Sequence, residues 1–167
     1  MRFAVIRSRF NGPITQGLLD GARRGFAEAK IESDLVDVYE VPGSFELPVA
    51  ALWAAQTKKY NAVVCLGCVI RGDTPHFEYV AGEAARGIAA AALKTGIPVI
   101  FGVLTTETEQ QARERSAADG GSTQEHMERS DSSDRPSGRI NSAAPSNKGY
   151  DAACSAVAMA QLRRKFD

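Results

Sequence analysis

The sequence predicts a doubly wound α/β fold, on three observations. Residues 1–110 alternate between segments of period two and segments of period 3.6, the signatures of strand and helix. One segment, Ala62–Ile70, is continuously apolar, as expected of a strand buried on both faces. A chain of 167 residues with 44% hydrophobic content suits one ordinary globular domain with a sizeable core. Strands separated by helices imply right-handed crossovers, so the sheet should be parallel and four-stranded, with helices on both sides in a three-layer sandwich.

The elements follow in order. Phe3–Arg7 reads as the first strand. Ile14–Ala29 reads as a helix, with Leu18, Leu19, Ala22 and Phe26 on one face. Leu35–Val41 is the second strand and Phe45–Gln56 the second helix. Ala62–Ile70 is the third strand, and the Ala-rich Phe77–Lys94 is a long helix that Gly96 and Pro98 terminate. Pro98–Leu104 is the fourth strand, followed by helices over Glu107–Arg115 and Tyr150–Lys165. Residues 117–146, "AADGGSTQEHMERSDSSDRPSGRINSAAPS", hold no Val, Leu, Phe, Tyr or Trp. Such a segment buries too little apolar area to offset its ordering entropy, so it reads as a disordered insertion in the domain spanning residues 1–167.

Composition excludes several classes. Lys plus Arg number 20 and Asp plus Glu number 20, which gives no general attraction to nucleic acid or an anionic membrane. No apolar run reaches the roughly 20 residues of a membrane span, and charge interrupts the opening Met1–Arg7 too early for a secretion signal. A cytoplasmic protein is the expectation. Cys65 and Cys68 form a C-x-x-C inside a strand, where a spacing of three sends the two side chains to opposite faces. With no second Cys or His pair to complete a metal site, they read as buried structural thiols, and no metal is expected.

In open parallel sheets, ligands bind outside the carboxyl ends of the strands. The four ends here are Ser8–Gly12, Val41–Glu46, Arg71–His76 and Gly102–Thr106. They offer aromatic rings, an amide, a carboxylate and an imidazole, a plausible seat for a flat hydroxylated ligand. The third end is the most specific. Gly72 allows a tight turn, Pro75 suits the first turn of a helix, and the free amides of that helix start attract an anion. His76 stands beside them with an imidazole, the side chain that exchanges protons most readily near neutral pH. Blander readings stand next to these. His76 can satisfy a backbone group, Phe10 can be a core staple, Glu46 can serve a helix dipole, and Arg115 and Lys148 can be solvated surface.

Five segments in order, "SRFN" (8–11), "VPGSFELPVAA" (41–51), "YNAVVCLGCVIRGDTPHFEYVAGEAARGIA" (60–89), "GIPVIFGVLTTETEQQARER" (96–115) and "NKGYDAACSAVAMAQL" (147–162), closely resemble the lumazine synthases of riboflavin biosynthesis. The resemblance implies a flavodoxin-like fold in homopentamers or multiples of them, with active sites between subunits. It implies a cofactor-independent transferase that condenses 5-amino-6-(D-ribitylamino)uracil with 3,4-dihydroxy-2-butanone 4-phosphate, releasing phosphate and water. Riboflavin synthase is a further implied partner. By the same resemblance, Phe10 would stack on the pyrimidine, and Asn11, Ser44, Phe45 and Glu46 would line the ring and ribityl site. Cys68, Val69 and Ile70 would offer backbone groups. Gly72, Asp73 and Thr74 would hold the phosphate, and His76 would move protons. Phe101, Arg115 and Lys148 would come from the neighbouring subunit, Arg115 to the phosphate.

Three departures from the family pattern stand out. The family has only a short loop where residues 117–146 lie, flanked here by Arg115 and Lys148. Asp73 sets a carboxylate beside the expected phosphate. Many members carry an N-terminal segment that adds to a neighbour's sheet, whereas this sequence opens on the first strand, which bears on cage-like assembly. Two other readings share the resemblance: a catalytically impaired lumazine- or flavin-binding or shell-forming protein, and a lumazine-synthase-like riboflavin synthase.

Overall fold

The computed structural model describes residues 1–117 and 147–166. The insertion read from the sequence lies, but for Ala117, outside the described residues. Four strands form one parallel sheet in the order β2-β1-β3-β4: β1 (Phe3–Ser8), β2 (Val36–Val41), β3 (Ala62–Ile70) and β4 (Val99–Thr106). Five α-helices cover it: α1 (Gly12–Glu28), α2 (Leu47–Gln56), α3 (His76–Thr95), α4 (Glu109–Ser116) and α5 (Lys148–Arg163). This is the three-layer α/β/α architecture that the alternating periods predict, and it agrees with the flavodoxin-like fold that the resemblance implies. No described helix is long and apolar enough to cross a membrane.

Each face of the sheet carries its own core. On one, Leu18, Ala22 and Phe26 of α1 and Ala153 and Ala156 of α5 pack on Phe3, Val5, Val64 and Leu66. The rings of Phe3 and Phe26 lie 4.9 Å apart, tilted by 39°. On the other face, Leu47, Ala51 and Ala55 of α2 and Ile88 and Ala91 of α3 cover Ala4, Ile6, Val63 and Cys65. Burying a side chain such as Leu18 or Phe26 contributes about 1.5–3 kcal/mol each. β3, fully buried from Ala62 to Val69, lies between β1 and β4 and belongs to both cores. Cys65 and Cys68 fall in opposite cores, as their spacing requires. Burial pushes their thiols up, to about 12 for Cys65 and about 11 for Cys68, so neither is a ready nucleophile.

Boundaries move by one or two residues, and two differences have physical causes. The expected helix Phe45–Gln56 is a 3₁₀ turn over Ser44–Glu46 that runs into α2, with Pro48 in the first turn of α2, where its missing N–H costs nothing. β4 extends past Leu104 to Thr106 because it keeps pairing with β3 as far as Ile70. Gly96 ends α3 as expected, with φ 67° and its N–H bonded to Ala92 O at 2.9 Å.

At the amino end of the sheet, Asp37 ties edge strand β2 to its neighbours. Its carboxylate accepts from Arg2 Nη2 at 2.7 Å, Lys59 Nζ at 2.8 Å and Tyr60 Oη at 2.7 Å. The Arg2 guanidinium first, then Lys59 and Tyr60, hold the Asp37 carboxyl far below the usual carboxylate range. A depressed folded-state pKa adds stability that is complete above the unfolded value of about 4 and is lost as pH falls towards the folded value. Thermal melts of the wild type and Asp37→Asn should therefore differ most near neutral pH and converge below about pH 4. A gap that stays constant into strong acid would contradict this network.

Candidate active site

The carboxyl end of β3, the turns after β1, β2 and β3 and the start of α3 frame a cleft of about 360 Å³. After β1 the backbone continues alongside the turn that follows β2. Arg9 N donates to Val41 O at 2.9 Å, and Phe10 N to Pro42 O at 3.1 Å. Asn11 adopts a left-handed conformation (φ 55°, ψ 45°), which asparagine tolerates better than most residues, and its carbonyl accepts from Ile14 N and Thr15 N to start α1. Its side chain donates to Cys68 O at 3.0 Å. The loop so fixed holds the Phe10 ring on the cleft wall, 68% exposed. A core staple is thereby excluded.

The turn after β2 is closed by Glu46, whose Oε2 accepts from Gly43 N at 2.9 Å. Closure presents Phe45, 57% exposed, and buries Ser44, whose Oγ has no hydrogen-bond partner among the described residues. Gly67 makes room for that hydroxyl, since a Cβ there would lie 2.6 Å from Ser44 Oγ. Gly72, Thr74 and His76 complete the wall after β3, with Phe77 and Val80 of α3 behind them. Arg71 braces this corner, paired with Glu107 at 2.7 Å and Glu78 at 3.3 Å, its guanidinium 4.6 Å from the Phe77 ring centre. The cleft thus combines an aromatic shelf, an unanswered hydroxyl, the amino end of α3 and an imidazole.

Phe101, Arg115 and Lys148 are elsewhere. They line a second cavity, of about 370 Å³, along edge strand β4 between the end of α4 and the start of α5. The two cavities have no lining residue in common. Arg115 is partly buried, with Nη1 donating to Gln111 O at 3.0 Å, and Lys148 is exposed, with Nζ 2.9 Å from Asp151 Oδ2.

A family model described as 6,7-dimethyl-8-ribityllumazine synthase matches residues 1–164. The chain belongs to that family. It is 43% identical over 166 residues to the 6,7-dimethyl-8-ribityllumazine synthase of Syntrophus aciditrophicus, covering 99% of this chain and 92% of that protein. It is 52% identical over 119 residues to the one from Microcystis aeruginosa, covering 69% of this chain and 66% of that protein.

The lumazine synthase resemblance named the cleft residues Phe10, Ser44, Phe45, Cys68, Val69, Ile70, Gly72, Thr74 and His76, and these gather at one place. Asn11 and Glu46 stand behind the wall, one holding Cys68 O and the other Gly43 N. Asp73 is exposed and is not among the residues that line the cleft. Two expectations need correction. Gly72 is not required for a tight turn: its φ is not positive, and a Cβ there would meet nothing within 4 Å. Pro75 precedes α3 rather than sitting in its first turn, because its carbonyl already accepts from Glu78 N at 3.0 Å. A third expectation fails too: the fourth strand end, Gly102–Thr106, opens on the second cavity and not on the cleft. Sequence reasoning missed Gly43, Phe77 and Val80. The three-residue spacing of Phe77 and Val80 on a helix was the available signal.

Proposed function

We propose that this lumazine synthase family member condenses 5-amino-6-(D-ribitylamino)uracil with 3,4-dihydroxy-2-butanone 4-phosphate to give 6,7-dimethyl-8-ribityllumazine, phosphate and water, in a site completed by two copies of the chain. One observation carries the two-copy arrangement: the residues that such a reaction needs are divided between two cavities of the same chain, one at the strand ends and one along the open edge of β4. Apposed, the cleft of one copy and the β4 cavity of the next would place Phe101 near Phe10 and Arg115 near the amino end of α3. A homopentamer, alone or in multiples, meets this geometry through head-to-tail contacts that close into a ring. Riboflavin synthase, which consumes the product, is a further candidate partner, and the cytoplasm is the proposed location.

The chemistry divides into steps that these groups can serve. The pyrimidine lies against Phe10, its edge facing the backbone of Cys68, Val69 and Ile70, its ribityl chain towards Asn11, Ser44, Phe45, Glu46 and Lys148. The 5-amino nitrogen attacks the ketone carbon, and loss of water leaves an imine. A proton then leaves the adjacent carbon for His76 while phosphate departs from the next carbon with the C–O electron pair. The resulting enol becomes a methyl ketone by proton return, and the ribitylamino nitrogen closes the second ring with loss of a second water. Arg115, the backbone at Gly72, Asp73 and Thr74 and the first amides of α3 stabilise the charge that develops on phosphate. Holding two reactants together supplies a large share of the rate, so no redox or metal chemistry is called for.

Mixing the two substrates with the protein and following lumazine fluorescence tests the reading. Product formed faster than in protein-free buffer supports it. Flavin binding without turnover would instead place the chain among non-catalytic binders.

A further inference from the structure

Asn147 is polar yet only 2% exposed. Its Nδ2 donates to three carbonyls, Gly17 O at 3.0 Å, Ser116 O at 2.8 Å and Ala117 O at 3.0 Å. Its Oδ1 accepts from Gly149 N at 2.8 Å and Tyr150 N at 3.1 Å. One amide thereby joins the middle of α1, the end of α4 and the start of α5, and uses both its donors and its acceptor.

Capping explains only the acceptor side, since a helix start needs an oxygen for its free amides and nothing more. The donor side brings the end of α4 and the start of α5 close against α1, and three glycines allow that approach. A Cβ on Gly21 would lie 2.0 Å from Asn147 Oδ1, one on Gly17 2.4 Å from Ser116 O, and one on Gly149 1.8 Å from Leu18 O. Serine or aspartate would cap α5 as well, but serine carries a single donor on a shorter arm and an ionised aspartate carries none, so neither can replace the amide NH2 at the carbonyls that close α4.

Arg115 immediately precedes Ser116, and Lys148 immediately follows Asn147. Both face the β4 cavity. We propose that Asn147 is a positioning residue: it gathers the end of α4 and the start of α5 at one point on α1, and so fixes Arg115 relative to Lys148 although residues 118–146 separate them in sequence. The proposal rests on the reading of Arg115 as a phosphate ligand. Asn147 itself touches no substrate. It acts by holding the last turn of α4, from which the guanidinium projects.

Asn147→Ser keeps a capping oxygen but replaces the two-donor amide with one shorter hydroxyl, and Asn147→Asp keeps the shape and the cap and removes the donors. Steady-state kinetics with each substrate varied in turn, in Arg115 and Arg115→Ala backgrounds, separates positioning from general support. The expected result is a rise of about tenfold in KM for the phosphate-bearing substrate in both variants, because a displacement of about 1 Å is enough for such losses. KM for the pyrimidine should stay within about twofold, since the retained cap keeps Lys148 in place. In the Arg115→Ala background, Asn147→Ser should add nothing, because coupled residues are not additive. The same loss in both backgrounds, no loss in either, or failure of both Asn147 variants to fold by circular dichroism would each overturn the proposal. Arg115→Ala without effect on that KM refutes the phosphate reading itself, a separate failure because it shows with Asn147 intact, and the proposal falls with it.

Discussion

Arg115→Ala should lower kcat/KM for 3,4-dihydroxy-2-butanone 4-phosphate by about 10²–10³, the range found when one donor to a developing oxyanion is removed. The guanidinium is partly buried, and one of its nitrogens is tied to Gln111 O, so the charge is aimed before substrate arrives. Preorganised charge facing a departing dianion contributes to the transition state and not only to binding. Both KM and kcat should therefore suffer, with KM for the pyrimidine much less affected. Arg115→Lys should recover only part of the loss, because a point charge cannot reproduce the guanidinium's paired contacts to phosphate. An alanine variant with wild-type kcat/KM would remove phosphate binding from this residue.

His76→Ala should reduce kcat by about 10², the low end for loss of a general acid–base group. The low end follows from the site's construction. Phe10, Ser44 and the amino end of α3 remain on the cleft wall, and in the proposed reaction their share of the rate, from holding the reactants, survives the substitution. Substrate KM values should change little, since an exposed imidazole on the wall adds little to ground-state affinity. Added imidazole should restore part of the lost rate if proton transfer is what the residue supplies. Unchanged kcat would assign the proton transfers to another group or to water.

Much of this was legible before any coordinates, and for physical reasons. A period of 3.6 placed Leu18, Leu19, Ala22 and Phe26 on the buried side of α1. A period of two assigned Cys65 and Cys68 to opposite cores. The rule that ligands sit beyond strand ends led to Phe10, Ser44, Thr74 and His76, which share one cleft. What escaped were contacts between residues distant in sequence. Nothing in the apolar run of β3 indicates that Gly67 leaves room for Ser44 Oγ. Nor does the sequence pair Asn147 with Gly17, 130 positions away, a contact that only the fold creates. Nor can one chain's periodicity tell that Gly102–Thr106 faces a different cavity from the other strand ends. That depends on β4 being an edge strand.

Mixing two crippled variants tests the shared site most directly. His76→Ala damages the cleft and leaves the β4 cavity intact, while Arg115→Ala does the reverse. Unfolded together and refolded as mixed oligomers, they should regain activity, since about a quarter of interfaces in a random mixture join an intact cleft to an intact β4 cavity. A mixture no more active than the two variants assayed separately would contradict a site shared between copies.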